Sequence, residues 1–196
     1  MSKDLSQRAQ TLLAMQVNGT AVRYLAETAQ RHDAPLIQAS TDYVFNGAQA
    51  EPYVEDDPVD PVNVYGHTKL AGERNASHYC DRHVIVRTSW VFSEYGENFV
   101  KTMLRLGAER DSLSIVADQI GGPTPAAAIA DAVFTVAQAL REGEAGGVYH
   151  FAGAPDASWA DLARAVMAGS GLSCQIRGSV HRRCCASAAA DRLKPV

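Results

Sequence analysis

Short, continuously apolar runs alternate with helical segments along the whole chain, and this alternation constrains the fold more than any other feature. The runs are Pro35–Ser40, His83–Thr88, Leu113–Ala117 and Gly147–Phe151. A strand that is apolar at successive positions is apolar on both faces, so both faces must be covered. Strands of that kind belong to parallel sheets with helices on either side. Helical spacing runs from Ser6 to His32 (with Asn18-Gly19 as an interruption), Val64 to Asp81, Glu97 to Arg110, Pro125 to Arg141 and Ser158 to Ala168. Pro125 suits a first helical turn and Ser158 an N-cap. The pattern predicts a layered α/β fold on a mostly parallel sheet. The stretch from Thr41 to Val62, rich in Asp, Pro and Gly, is a long connection of the sort that usually carries function.

Composition narrows the function. The 196 residues carry Lys+Arg 18 against Asp+Glu 22, a net charge of -4. Without a basic stripe the chain has no means of releasing phosphate counterions, which argues against a nucleic-acid partner. No apolar run approaches the ~20 residues of a membrane helix, and Met1–Ser6 has no apolar signal core, so the expected setting is cytoplasmic and off the membrane. Four cysteines (Cys80, Cys174, Cys184, Cys185) have no CxxC spacing and read as reduced thiols. The six histidines show no metal-ligand spacing, so no metal site is expected.

Three stretches carry chemistry. Tyr65-Gly66-His67-Thr68-Lys69 places a phenol and an ammonium four residues apart, on one face of a helix. A neighbouring ammonium favours the phenolate, so Lys69 is expected to lower the Tyr65 pKa and ready it for proton exchange. His67, two residues on, falls off that face and reads as solvated. Ser40-Thr41-Asp42 follows an apolar strand, at the strand end where α/β sheets bind ligands. Arg87-Thr88-Ser89-Trp90 ends a second strand, with the indole as an apolar wall for a sugar or base. Each stretch also has a plain structural reading: a surface Tyr and Lys, a turn or helix cap, and a core tryptophan.

Taken together, STDYVFNG (40–47), Pro52–Asp57, PVNVYGHTKLAGE (61–73), VRTSWVF (86–92), NFVKTML (98–104) and ADQIGGPT (117–124) resemble the dTDP-4-dehydrorhamnose reductases of the extended short-chain dehydrogenase/reductase family, over roughly Leu5 to Leu172. The resemblance implies an incomplete Rossmann-like doubly wound parallel sheet with a small C-terminal substrate-binding lobe. It assigns Thr41, Tyr65 and Lys69 to catalysis. Ala39, Tyr65 and Lys69 fall beside the cofactor, NADPH or NADH, and Thr41, Asp42 and Trp90 beside the dTDP-sugar. The implied reaction is reduction of the 4-keto group of dTDP-4-dehydro-L-rhamnose, and the implied partner is that dTDP-sugar, with a homodimer left open.

The chain departs from this pattern at both ends. No GxGxxG turn occurs in it, and the family begins with a strand, a Gly-rich loop and a helix that hold the pyrophosphate. Residues 1–172 are therefore expected to be the remainder of an NAD(P)-binding reductase domain with part of the substrate lobe. Residues 173–196, with His181-Arg182-Arg183-Cys184-Cys185, are expected to be an atypical, unstructured tail. The strand at 35–40 should then form a sheet edge, and the chain alone should bind NADPH weakly and turn over slowly. Two other readings stand beside this one: a non-catalytic homologue that binds a partner, and another nucleotide-sugar 4-keto reductase or epimerase.

Overall fold

The computed structural model describes residues 2–180. Its centre is a three-stranded parallel sheet of β1 (Leu36–Thr41), β2 (His83–Thr88) and β7 (Gly147–His150), in the order β1-β2-β7. Its register aligns the carboxyl ends, with Thr41 opposite Thr88 and Arg87 opposite both Ser40 and His150. Both faces are covered, as the unbroken apolar runs require. On one face Ile85 packs with Val22 of α2 (Ala21–Arg31) and Ala76 of α3 (Val64–Tyr79). On the other, Val84 and Val86 meet Val136 and Leu140 of α5 (Ala126–Arg141). The pleat thus divides adjacent β2 residues between two helical layers. Arg87 falls on the same side as Ile85, beneath α3. Among the described residues β1 and β7 each have a strand on one side only, so β1 is one of the sheet's two edges.

Helix α1 (Ser2–Met15) runs into α2 through a π-helical turn, Gln16–Thr20, which is where Asn18-Gly19 broke the helical pattern. The turn packs on α3 at small residues. A Cβ on Gly72 would lie 2.2 Å from the Asn18 carbonyl oxygen, and Asn18 Nδ2 donates to Thr68 Oγ1 at 3.1 Å.

Beyond β2 the chain builds a second cluster. Met103 of α4 (Phe99–Glu109), Leu113 of β4 (Ser112–Val116), and Ala163 and Met167 of α6 (Trp159–Ser170) share a core with Cys174. Residues 175–179, assigned above to the tail, form strand β9 (Gln175–Ser179), parallel to β4. Only Ile176 of this strand faces the apolar cluster, so its own sequence carries little strand signal; the pairing edge of β4 supplies the order. The rest of the expected tail, 181–196, lies outside the described residues. Three short strand pieces, β3 (Val91–Phe92), β5 (Ile120–Gly121) and β6 (Thr124–Pro125), together with β8 (Ala157–Ser158), tie this cluster to the sheet rim. β3 pairs with β6 and β5 with β8.

Among the described residues no helix is long and apolar enough to cross a membrane. Cys80 and Cys174 are free and buried.

Candidate active site

The site forms where β1 ends. Thr41 leaves the strand in extended conformation and caps the short 3₁₀ turn Asp42–Val44, its hydroxyl accepting from Tyr43 N at 3.2 Å. The same hydroxyl donates to Asp42 Oδ1 at 3.0 Å. Both side chains are buried. Burial pushes the Asp42 carboxyl up to about 6, because a charge there has lost its water; the Thr41 hydrogen bond and backbone amides offset this only in part.

Helix α3 is aimed at this point by its own N-terminus. Asn63 caps it by accepting from Gly66 N at 2.8 Å. Gly66 is required there, since a Cβ would lie 2.1 Å from the Tyr43 carbonyl oxygen. That close approach sets Tyr65 edge-on to Tyr43, with ring centroids 5.8 Å apart, and brings its phenol near enough to Thr41 for that hydroxyl to act on its pKa. Tyr65 is still 49% exposed, so part of the residue is open to a ligand.

One turn further along α3, Lys69 Nζ donates to the Ala39 carbonyl at 2.6 Å. Thr41, Asp42, Tyr65, Lys69 and Ala39 therefore lie together at one rim. His67 is exposed.

The electrostatics differ from the simple expectation. Tyr65 is raised above its ordinary value, first by burial, with Asp42 adding to the shift and the Thr41 hydrogen bond opposing it. Lys69 does not set the phenol's pKa, because its ammonium is turned to the β1 carbonyl. Burial lowers Lys69 itself, and Glu73 one turn away opposes that.

Trp90 lies two residues beyond Thr88, so it leaves the same end of the sheet. Its φ of 48° is left-handed, which costs a bulky residue roughly 1–3 kcal/mol and needs surrounding contacts to hold it. Those contacts are Trp159, stacked at 3.5 Å and 9°, and Gly121 at the indole edge.

Sequence reasoning missed the buried support beneath the rim. Glu73 accepts from Arg87 Nη2 at 2.8 Å and Nε at 3.0 Å, and from Ser40 Oγ. Arg87 Nη1 also donates to the Glu55 carbonyl at 3.2 Å, and the Glu55 carboxylate accepts from His150 N at 2.7 Å. The signal was present as a charge inside the apolar run His83–Thr88. Only the fold reveals that Glu73 answers it.

A parallel sheet covered by helices on both faces, with a threonine and a tyrosine at one rim and a lysine one turn on, defines a domain of the short-chain dehydrogenase/reductase class. The chain belongs to the family described as RmlD substrate binding domain, which it matches over residues 7–192. It is 48% identical over 155 residues to the dTDP-4-dehydrorhamnose reductase of Aggregatibacter actinomycetemcomitans, covering 78% of this chain and 53% of that protein. Among solved structures it resembles a dTDP-4-dehydrorhamnose reductase from Clostridium acetobutylicum, with TM-score 0.83, 35% identity, and coverage of 88% of this chain and 60% of that one. The enzyme of that name from Bacillus anthracis, solved in complex with NADP, gives TM-score 0.83 and 35% identity over 95% of this chain and 64% of that one. The chain spans about half the length of the curated relatives it matches.

Proposed function

We propose that this chain carries the proton-transfer and sugar-binding part of a dTDP-4-dehydrorhamnose reductase, which reduces the 4-keto group of dTDP-4-dehydro-L-rhamnose in the cytoplasm. The supporting observation is the packing of the α3 N-terminus on the end of β1, which sets Tyr65 against Tyr43 beside Thr41 and ties Lys69, one turn on, to the Ala39 carbonyl. In this reading residues 1–172, extended through β9 at 175–179, are the remainder of the reductase domain with part of its substrate lobe.

A ketone reduced to an alcohol gains a hydride at carbon and a proton at oxygen. The donor set fits a nicotinamide ribose: Lys69 spends one of its three N–H bonds on Ala39 and keeps two for ribose hydroxyls, with the Tyr65 hydroxyl alongside. A reduced nicotinamide cofactor, NADPH or NADH, supplies the hydride when bound. Ala39, Tyr65 and Lys69 would hold its ribose.

The chain's own part is the proton. Thr41 can turn its hydroxyl from Asp42 to the ketone oxygen, orienting it and stabilising the charge that develops there. Tyr65, raised above its ordinary value, is a neutral phenol at pH 7 and therefore has a proton to give. Lys69, turned to the Ala39 carbonyl, serves the ribose rather than the phenol. Asp42 and Trp90 flank the sugar.

The test is loss of NADPH absorbance with dTDP-4-dehydro-L-rhamnose, for the chain alone and for the chain fused behind the N-terminal half of the Aggregatibacter relative. The fusion is expected to turn over. A folded fusion that binds NADPH yet leaves this ketone untouched would sink the proposal in favour of a non-catalytic or different nucleotide-sugar role.

A further inference from the structure

Trp90 and Trp159 are the two tryptophans of the chain, and they lie face to face. Trp90 comes from the rim of the central sheet. Trp159 is the first residue of α6, in the second cluster, and its position is fixed by a capping box. Asp161 N donates to Ser158 Oγ at 3.0 Å, and Ser158 N donates to Asp161 Oδ2 at 3.1 Å. Phe99 of α4 also packs on Trp159, with centroids 4.5 Å apart and planes tilted by 52°. The Trp90 carbonyl accepts from Thr124 N at 3.1 Å. At its edge, a Cβ on Gly121 would lie 2.5 Å from the indole Cε2. One indole face, one edge and the backbone are therefore occupied by protein. Trp90 nevertheless stays only partly buried, so part of it is open to solvent.

We propose that Trp159 is a positioning residue: by stacking on Trp90 it holds that indole, in its left-handed backbone conformation, as a prebuilt flat wall for the sugar or base of a nucleotide-sugar. The ligand class rests on the function proposed above; the positioning itself does not. A wall already fixed in place binds without the cost of ordering a side chain, and an aromatic surface suits the apolar face of a hexose or a pyrimidine. The stack also makes the wall depend on α6, so the two clusters share one element of the site. At a 3.5 Å centroid separation nothing fits between the rings, and a ligand must use the remaining surface of Trp90.

The full chain carries the test. Close parallel indoles couple their transitions, so circular dichroism of the wild type should contain an exciton couplet. Trp159→Phe should abolish the couplet yet keep Trp90 shielded, because a phenyl ring still covers it. Trp159→Leu should make Trp90, then the sole tryptophan, more accessible to acrylamide, with a red-shifted emission, at unchanged far-ultraviolet dichroism. Quenching of Trp90 by dTDP-L-rhamnose should need about two- to tenfold more ligand in Trp159→Leu than in Trp159→Phe, the worth of one aromatic pair. Equal acrylamide quenching in the two folded variants would overturn the positioning role. So would a wild type without a couplet. If the positioning results hold but dTDP-L-rhamnose quenches none of the proteins, the nucleotide-sugar wall fails while the stack stands. Should Trp159→Leu not fold, Trp159→Met against Trp159→Phe gives the same comparison.

Discussion

Replacing Glu73 by Gln should cost this protein a large share of its stability. The carboxylate and the Arg87 guanidinium are each 5% exposed at the side chain, and two hydrogen bonds of 2.8 and 3.0 Å join them in a fork. Gln preserves shape and can still accept from Ser40, but it removes the negative charge and turns an amide N–H₂ toward a cation. Arg87 cannot release its proton, so the fold keeps a buried charge without its counterion. Breaking such a pair by removing one partner costs about 3–5 kcal/mol. Against the roughly 5–15 kcal/mol that domains possess, that is a large fraction. With a urea slope of about 1–3 kcal/mol per molar, the midpoint should fall by about 1–5 M. Urea unfolding followed by far-ultraviolet dichroism reads this directly. Adding Arg87→Met to Glu73→Gln should restore much of the loss, because the penalty lies in the orphaned charge more than in the missing bond. A loss below about 1 kcal/mol for the single variant would refute the reasoning. A double variant no better than the single one would refute it too.

Two further outcomes follow from the same structure. The fold raises Asp42 from 3.8 to about 6, so between those values the folded chain binds more proton than the unfolded chain. The stabilisation is complete below about pH 4 and is lost as pH rises through about 6, at most about 3 kcal/mol in all. Wild-type stability measured relative to Asp42→Asn should therefore decline across that window, and a flat difference from pH 4 to 7 would contradict the burial argument. Gly72→Ala sets two effects against each other. Alanine favours a helix by about 1 kcal/mol, but its Cβ would sit 2.2 Å from the Asn18 carbonyl. Overpacking of that kind costs about 1–3 kcal/mol, so a lowered thermal midpoint is expected, and a raised one would mean that the π turn moves away freely.

The central sheet was legible because its signal is local. His83–Thr88 is apolar at successive positions, and the structure puts a strand over those six residues. Helix α5 begins just after Pro125 and α6 just after Ser158, each at a residue whose chemistry marks a helix start. The two-residue strands β3, β5, β6 and β8 are too short to show any period, and β9 exists through its partner β4. At the site, the Tyr65–Lys69 spacing and Thr41 at a strand end pointed to one rim, and they meet there. What stayed hidden was contact across distance. Arg87 announces itself as a charge in an apolar run, but Glu73 and the Glu55 carbonyl become its partners only when α3 and the long loop fold over β2. The Trp90–Trp159 stack likewise joins residues 69 positions apart. Lys69 was read as the group that tunes Tyr65, whereas burial and the Thr41 and Asp42 side chains do so, because a strand carbonyl lies closer to the ammonium's reach.

The account stands on Tyr65 as the source of the proton. Steady-state kinetics of the reductase fusion and its Tyr65→Phe variant, with saturating NADPH and dTDP-4-dehydro-L-rhamnose, test this most directly. Removing one hydroxyl should lower kcat by about 10²–10⁴-fold and leave KM for the sugar nearly unchanged. A Tyr65→Phe enzyme that retains most of its kcat would contradict it.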